Sequence, residues 1–370
     1  MKVTLCVDAL QPQLSGIGRY TLELCQGLPR SPEIKQLHHY SRGRLFSQPA
    51  DLLSSGPQRR GNTRVGQWWR QHQAARALSQ SDLVHAPNYF LPPTARNGVI
   101  TVHDLSIFRY PETHPEERVA AFAENFGDSL VRTRHVITDT QTVRKEIIDE
   151  FRLPPDRVTA IPLGVDAAFR PRSEQELAPV LAGFGLRPRR YGLSVSTLEP
   201  RKRIEALIDS WERLPRSLRE STPLVLAGGS GWRNERLQKR IATAESEGWL
   251  INLGFVDEAF LPFLYAGAAV FSYPSIYEGF GLPPLEALAS GVPVLVAPRS
   301  CLPEVCGEAA LYADPDDDRE GFRSSLERSL TDEDWIERCA QQGPRRAQLF
   351  SWDRCVSQTV DAYRKVTGGA

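Results

Sequence analysis

The chain has 370 residues, of which 41% are hydrophobic and 24% are charged, and its 45 basic and 45 acidic side chains give a formal net charge of zero. This composition is typical of a folded globular protein, and the zero net charge provides no overall field that would attract nucleic acid. A chain of this length is too long for one ordinary hydrophobic core, so we expect two domains.

Cysteine usage and the N-terminus indicate the compartment. The six cysteines form no CxxC pair and have no histidine clustered with them: Cys6, Cys25, Cys301, Cys306, Cys339 and Cys355. Zinc and a disulfide framework are therefore not expected. The N-terminal apolar run is too short for a signal peptide and contains Asp8. No stretch approaches the about 18 apolar residues of a membrane span. We expect a cytoplasmic protein that at most touches the inner face of the cell membrane.

The first part of the chain alternates strands with helices, which predicts an α/β fold with a parallel, doubly wound sheet. The predicted strands are VTLCV, SDLVHAP, NGVITVHDLS, RHVITDT and VTAIPLG. After the first strand, Gly16-Ile17-Gly18 form a loop before a helix that starts at about Arg19, an arrangement that can hold a phosphate. His103 falls at the carboxyl end of a predicted strand, where ligands collect in such sheets.

Residues 40–66 are polar and lack periodicity, so we interpret them as a long loop that leads into the helix VGQWWRQHQAARAL. Basic residues greatly outnumber acidic ones between positions 30 and 80. A basic surface with Trp68 and Trp69 fits contact with anionic lipid. The alternative is that the tryptophans pack under the domain, with solvated arginines outside.

The strand and helix pattern restarts near residue 190. We therefore predict an N-terminal, acceptor-side domain at 1–170, a Pro- and Arg-rich linker at 171–189 and a C-terminal, donor-side domain at 190–350. The helix at 351–370 is expected to pack back on the N-terminal domain. Both domains are expected to be Rossmann-like and to face each other across a cleft.

Residues 272–291 of the second domain read SYPSIYEGFGLPPLEALASG, a pattern of strand, glycine turn and helix start. The N-terminus of a helix attracts anions, whereas Glu278 and Glu286 are better suited to sugar hydroxyls beside a phosphate. Arg201 and Lys202 follow another strand just before a helix, where cations are disfavoured unless an anion is present.

Two further strands of this domain end in glycines or apolar residues. Gly228 and Gly229 follow PLVLA, and Phe255-Val256 follow Gly254 at the end of WLINLGFV. Cations for a diphosphate, helix amides, carboxylates for hydroxyls and an apolar patch for a base together predict a nucleotide-diphosphate sugar as the ligand.

These motifs carry a family resemblance along nearly the whole chain: SGIGRY, VHDL, TLEPRKR, LAGGSG, EGFGLPPLEALASGVPV and the closing FSWD. The chain resembles the retaining glycosyltransferases of family 4, which have the two-Rossmann-domain GT-B fold. The most specific element is the Glu-x7-Glu pair formed by Glu278 and Glu286.

The resemblance implies a role for each matching residue. Lys202 and Arg201 would clamp the donor diphosphate, Glu278 would face the donor sugar and His103 would be the histidine of the catalytic site. Glu286 would bind the ribose. The implied donor-binding set is Gly16, Ile17, Gly18, Gly229, Phe255, Val256, Gly279, Phe280, Gly281, Leu282 and Glu286. One departure is Ser196-Thr197, where many members have a further arginine, whose charge Arg201 would supply instead.

The resemblance also implies transfer with retention at the anomeric carbon and without a metal ion or other cofactor. The chain has no Asp-x-Asp of the metal-dependent type at a strand end, and DPDDD at 314–318 follows the pattern of a solvated loop. A double displacement would need a carboxylate nucleophile, with Glu278 as a formal candidate. A same-face route needs only stabilisation of the departing diphosphate by Lys202, Arg201 and helix amides. Lys202→Ala is expected to abolish transfer and leave the fold intact.

The motifs are most similar in sequence to those of bacterial mannosyl- or rhamnosyltransferases that build surface polysaccharides. GDP-mannose is the first expectation for the donor, ahead of GDP- or dTDP-rhamnose and UDP-sugars. The expected acceptor is a saccharide, linked to polyprenyl diphosphate, of O-antigen or another lipopolysaccharide component. Two other classes stay open: an epimerase of the same fold and a non-catalytic nucleotide-sugar-binding protein.

Overall fold

The computed structural model describes residues 1–54, 64–95 and 97–368, and for residues 64–68 it describes the backbone alone. The chain divides into two compact units. Unit 1 contains Met1–Leu105, Ala120–Gly164 and Trp352–Ala370, and unit 2 contains Ser106–Val119 and Val165–Ser351.

Each unit is built on one sheet. In the part of unit 1 that the structure describes, the seven strands are β1 (Lys2–Cys6), β2 (Gln36–Ser41), β3 (Arg44–Phe46), β4 (Leu83–Ala86), β5 (Gly98–Val102), β6 (Thr133–Thr138) and β7 (Val158–Ala160). The six strands of unit 2 are β8 (Gly192–Val195), β9 (Leu224–Ala227), β10 (Leu250–Asn252), β11 (Val270–Tyr273), β12 (Val294–Val296) and β13 (Leu311–Tyr312).

The helices connect successive strands and cover the sheets. In chain order they are α1 (Gly16–Gly27), α2 (Arg64–Gln80), α3 (Ser106–Arg109), α4 (Glu116–Arg132), α5 (Gln141–Phe151), α6 (Glu174–Ala182), α7 (Ile204–Glu212), α8 (Arg216–Ser221), α9 (Glu235–Ser246), α10 (Leu261–Gly267), α11 (Leu282–Ala289), α12 (Leu302–Cys306), α13 (Arg319–Thr331), α14 (Glu333–Ala347) and α15 (Trp352–Thr367).

The strand orders are those of doubly wound sheets, as the alternation in the sequence predicts. The order in unit 1 is β3-β2-β1-β4-β5-β6-β7 and the order in unit 2 is β10-β9-β8-β11-β12-β13. Every pairing is parallel except that of β2 with β3. Parallel sheets need cover on both faces, and β5 and β9 are accordingly buried along their whole length.

The sheet of unit 2 separates two hydrophobic clusters. Val225 packs in one cluster, whereas its strand neighbours Leu224 and Leu226 pack in the other. Successive side chains of a strand point to opposite faces, so a continuous apolar strand serves both layers. The carboxyl ends of these strands are therefore held by packing on both sides.

Two segments differ from the sequence prediction. The predicted loop at 40–66 contains β3 and the end of β2, whose half-buried, polar QLHHYS carries no apolar alternation that would have revealed a strand. The predicted linker at 171–189 contains α6, in which Leu177 and Leu181 are buried in the core of unit 2. Ser173 and Glu176 form a capping box at its start, which stabilises a helix that Pro179 would otherwise disfavour.

Helix α15 is part of unit 1. Its Tyr363 hydroxyl is 2.7 Å from Nδ1 of the buried His85 on β4. The six cysteines all lie in the described part of the chain, and each is a buried free thiol. Among the described residues, no helix has both the length and the apolar character required to cross a membrane.

Candidate active site

The glycine turn of unit 2 connects β11 to α11. Gly281 has a φ of +97°, a left-handed conformation that a side chain disfavours. A Cβ atom there would lie 2.9 Å from Cδ2 of Leu302. Helix α11 begins directly after it, with prolines in its first turn, where no backbone N–H bond is lost. The helix therefore begins at Leu282, in agreement with the helix start that the sequence pattern predicts at the prolines.

Lys202 lies at the end of a 3₁₀ turn, Pro200–Lys202, that follows β8. It is buried, and its Nζ is 2.6 Å from Oε1 of Glu278 and 2.8 Å from the hydroxyl of Tyr273 at the end of β11. Two neighbouring parallel strands thus deliver the cation and the carboxylate to one edge of the sheet.

Arg201 joins the same cluster. Its Nη2 donates to Oε1 of Glu199 at 2.6 Å, and its Nη1 lies 3.4 Å from Oε2 of Glu278. The Nη1 group also donates to the backbone carbonyl of Tyr277. Arg201 therefore braces the loop before the glycine turn as well as pairing with two carboxylates.

The electrostatics of the cluster are asymmetric. Burial alone would raise the pKa of Glu278, but Lys202 and Arg201 attract its charge, and its pKa falls from 4.5 to about 2. The pKa of Lys202 is also lowered, because burial and the nearby Arg201 outweigh the attraction of Glu278 and Glu199. Glu278 is therefore ionised at neutral pH, whereas at Lys202 the cost of burial exceeds the gain from pairing.

The cluster of Arg201, Lys202, Glu199 and Glu278 has two cations and two carboxylates. The sequence argument that these cations need an external anion is therefore too strong, since the chain provides counterions itself. An ammonium group has three N–H donors, and Tyr273 and Glu278 engage two of those of Lys202. Both cations are already held in place by carboxylates of the chain, and they can also bind an incoming anion without moving into position.

The other predicted donor-binding residues of unit 2 lie around the same sheet edge. Gly229 follows β9, and Phe255 and Val256 follow β10. Phe255 is 50% exposed, whereas Val256 is buried. Glu286 is half-buried on α11. The pKa of the Tyr265 hydroxyl is raised, first by burial of Tyr265 and second by the negative charge of the Glu286 carboxylate.

The predicted residues His103 and Gly16 to Gly18 lie in unit 1. Buried His103 places Nδ1 2.7 Å from the Asp139 carboxylate and Nε2 2.8 Å from the carbonyl oxygen of Pro87. Both partners are acceptors, which is the geometry of a doubly protonated ring. Burial lowers the pKa of His103, but Asp139 and the hydrogen bonds raise it above 6.5. Burial raises the pKa of Asp139, and the attraction of His103 offsets only part of this increase.

Gly16, Ile17 and Gly18 form the first turn of α1, not a loop before a helix at Arg19. Ser15 caps this helix, with its hydroxyl oxygen accepting from the Gly18 N–H at 3.2 Å. A side-chain cap satisfies a first-turn amide and allows the helix to begin earlier.

Segment Ser106–Val119 belongs to unit 2, although it falls between β5 and β6 of the other sheet. The indole N–H of Trp232 donates to the Thr113 carbonyl at 2.8 Å, and the Arg118 guanidinium lies 4.9 Å from the Trp232 ring. Tyr110 packs against Tyr277, with ring centroids 5.4 Å apart. The sequence analysis did not single out this segment, and its only local signal is the aromatic and proline content of FRYPETHP.

Three further residues contact predicted site residues without having been predicted from the sequence: Glu199, Tyr273 and Ser300. Glu199 and Tyr273 complete the Lys202 cluster. The Ser300 hydroxyl oxygen accepts from the Glu278 N–H at 3.0 Å. Only Glu199 had a usable signal, because it lies three residues before Lys202 on the same strand-end turn.

Two Rossmann-like units, with a buried cation and carboxylate cluster beside a glycine turn, define a glycosyltransferase of the GT-B fold class. Two family profiles match in sequence: "Glycosyltransferase Family 4" over residues 14–169 and "Glycosyl transferases group 1" over residues 187–346. The chain belongs to this glycosyltransferase family, as the resemblance in the sequence predicts.

Individual relatives agree with this assignment. The O-antigen chain mannosyltransferase B of Escherichia coli is 36% identical over 98% of this chain and 100% of its own length. The serotype-specific mannosyltransferase WbdA of Escherichia coli is 31% identical over 76% of this chain, a match that covers 36% of WbdA. The sucrose-phosphate synthase of Thermosynechococcus elongatus superposes with a TM-score of 0.74 at 20% identity over 100% of both chains, which supports the fold alone.

Proposed function

We propose that this protein is a retaining mannosyltransferase that moves mannose from GDP-mannose to a lipid-linked saccharide of an O-antigen or related surface polysaccharide. The observation that carries the proposal is the buried Arg201–Lys202–Glu278 cluster beside the Gly281 turn. The sugar and the polysaccharide are proposed from the names of the two mannosyltransferase relatives.

In the proposed mechanism, Lys202 and Arg201 stabilise the negative charge that develops on the departing diphosphate. Preorganised charges in a buried site act strongly because no solvent must reorganise around them. The backbone amides of Gly281 and Leu282, at the start of α11, would bind the same diphosphate, where the positive end of the helix dipole adds to the attraction. No additional cation is needed for this charge compensation, so we propose a reaction that is independent of metal ions.

Glu278 is proposed to bind hydroxyls of the donor sugar. Its pKa of about 2 keeps it ionised at neutral pH, so it acts as a hydrogen-bond acceptor and cannot donate a proton. Its ion pair with Lys202 at 2.6 Å also lowers its availability as a nucleophile. We therefore favour a same-face transfer, in which the leaving diphosphate accepts the proton of the acceptor hydroxyl.

The remaining donor contacts are proposed on position. Glu286, half-buried on α11, would accept hydrogen bonds from the ribose hydroxyls, and the exposed ring of Phe255 would pack against the base. Gly229 would allow the diphosphate to approach the backbone closely. In unit 1, Gly16 and Ile17 would contribute amides of the first turn of α1, and Gly18, whose amide donates to Ser15, would lie beside them. His103 would contact the transferred sugar through its backbone or edge, because both ring nitrogens already have partners.

We also propose a cytoplasmic location with peripheral contact at the inner membrane face. Trp69 on α2 is 54% exposed, and Arg76 on the same helix is exposed as well. An exposed tryptophan beside arginines suits the headgroup layer of an anionic membrane. Other parts of this basic stretch lie outside what the structure describes, namely residues Arg59 and Arg60 and the side chains of Arg64 and Trp68. Flotation of the protein with anionic and neutral liposomes tests the proposal, and equal, negligible binding to both would refute it.

The test of the proposed function has two stages. A thermal-shift panel of GDP, UDP, dTDP and ADP identifies the base, and we expect GDP to raise the melting temperature most. Transfer from GDP-mannose to a synthetic lipid-linked acceptor is then followed by NMR of the product, with and without EDTA. An α-mannoside product, formed equally in EDTA, supports the proposal. Preference for dTDP would indicate the rhamnosyl alternative, and release of free sugar without acceptor transfer would refute a transferase.

A further inference from the structure

Ser300 has an unusual backbone conformation for a residue with a side chain. It lies between β12 and α12, and its φ of +56° is in the left-handed region. Glycine adopts this conformation without strain, and asparagine or aspartate adopt it more readily than serine. A strained backbone conformation persists where the surrounding structure stabilises it. The contacts of the Ser300 side chain should therefore contain a reason for the presence of serine here.

The contacts of Ser300 provide that reason. Its hydroxyl oxygen accepts a hydrogen bond from the Glu278 N–H at 3.0 Å, and its hydroxyl hydrogen is donated to the Glu278 carbonyl oxygen. One side chain therefore satisfies both backbone groups of a residue 22 positions away. We call this pair of hydrogen bonds the Ser300 clasp.

Neighbouring residues extend the clasp along the glycine turn. The Cys301 thiol lies 3.1 Å from the carbonyl oxygen of Glu278 and 3.2 Å from that of Phe280. The side chain of Leu302 occupies the space beside Gly281 that a Cβ atom would need. Ser300, Cys301 and Leu302 thus line one side of the turn from Glu278 to Gly281.

The opposite end of Glu278 is held independently. Its carboxylate is bound by Lys202 at 2.6 Å and lies 3.4 Å from Nη1 of Arg201. A glycine on its C-terminal side allows backbone rotation, so the carboxylate alone would not determine the direction of the peptide groups around it. The clasp removes that freedom at the residue where the turn begins.

We propose that Ser300 is a positioning residue that orients Glu278 towards the donor sugar. This inference rests on the proposed function, because Glu278 is the sugar-binding carboxylate there. Ser300 acts through Glu278 and does not touch the substrate itself. It follows that the clasp affects binding of the sugar half of the donor and leaves binding of the nucleotide diphosphate nearly unchanged.

The test compares Ser300→Ala and Ser300→Gly with a matched control, Ser329→Ala. Both Ser300 variants lose the hydroxyl, but only glycine also relieves the left-handed backbone. Ser329 is a fully buried serine on α13 whose hydroxyl donates to the Ser325 carbonyl within its own helix. Each protein is measured for kcat, KM for GDP-mannose, Kd for GDP and melting temperature.

We expect both Ser300 variants to raise KM for GDP-mannose, or lower kcat/KM, by about tenfold, the value of one to two hydrogen bonds. The Kd for GDP is expected to change less than twofold, and Ser300→Gly is expected to melt no lower than Ser300→Ala. Ser329→Ala should keep the wild-type kcat/KM. Equal weakening of GDP and GDP-mannose would show a general structural role, and wild-type kinetics in both Ser300 variants would show no role, so either result overturns the proposal.

A second readout separates this inference from the proposed function. Hydrogen exchange of a peptide that spans residues 275–281 includes the Glu278 amide and needs no substrate. Faster exchange there in both Ser300 variants, but not in Ser329→Ala, supports the clasp. If the wild type binds no nucleotide and transfers no sugar, the proposed function fails, whereas unchanged exchange at Glu278 overturns the clasp whatever the substrate.

Discussion

Lys202→Ala is the most informative substitution, because Lys202 belongs to a buried charge cluster as well as to the proposed catalytic machinery. Its ammonium is 2.6 Å from Glu278, and Arg201, which the substitution retains, lies 3.4 Å from the same carboxylate. The difference between a pKa of 4.5 and about 2 for Glu278 corresponds to about 3 kcal/mol at 1.36 kcal/mol per pKa unit. Lys202 is the largest attractive cause of that shift.

We therefore expect Lys202→Ala to lower the free energy of unfolding at pH 7 by about 2 kcal/mol, because part of this stabilisation is lost and relief of the buried lysine offsets some of the loss. A loss of this size is compatible with an intact fold, which stays the expectation. Transfer should fall by about a thousandfold or more, since one preorganised charge on a developing anion contributes at this level.

The double variant Lys202→Ala/Glu278→Gln separates stability from catalysis. Removing the carboxylate leaves no uncompensated buried charge, so the double variant should regain at least about 1 kcal/mol relative to Lys202→Ala while transfer stays lost. Urea unfolding and a GDP-mannose transfer assay on the four proteins of the cycle measure both effects. Lys239→Ala, at an exposed lysine of α9, is the control. Near-normal turnover in Lys202→Ala, or additive stability losses in the double variant, would refute the reasoning.

Three further predictions concern acid stability, the backbone and the buried histidine. Because the pKa of Glu278 is lowered in the folded state, its stabilisation is present above pH 4.5 and is lost as the pH falls from 4.5 to about 2, so urea unfolding should show a steeper acid loss in wild type than in Glu278→Gln. Gly228→Ala should destabilise by about 3 kcal/mol, since its Cβ would lie 2.0 Å from the Ser196 carbonyl oxygen, whereas Gly229→Ala, with no atom within 4 Å, should keep the wild-type melting temperature. Asp139→Asn should lower the pKa of His103, which NMR titration of the ring measures, and an unchanged value would contradict the ion pair.

The local pattern of apolar and polar residues was sufficient to predict most of the fold. Apolar strands that alternate with helices predicted two doubly wound sheets, because a strand buried on both faces leaves a continuous apolar run. The failures are as informative. The polar β2 lies between the edge strand β3 and β1, and α6 contains Pro179, so each has a local sequence that argues against its structure. Tertiary packing and a capping box outweighed that local preference.

The site shows the same division. The order of strand, glycines and prolines in 272–291 predicted the turn and the helix start by local chemistry, and Arg201 and Lys202 were recognised as strand-end cations. Residue types in a short motif determine such features, since a left-handed turn needs glycine and the first turn of a helix accepts proline.

Only the tertiary structure decided which groups meet. Lys202 pairs with Glu278 across 76 positions and Ser300 holds Glu278 across 22 positions, and neither pairing leaves a local trace. The assignment of Ser106–Val119 to unit 2 is equally invisible in the strand pattern. The sequence by itself therefore determined the elements and the kinds of chemistry available. The charge balance of the site, and the strained serine beside it, depend on distances between strand ends that only the folded sheet establishes.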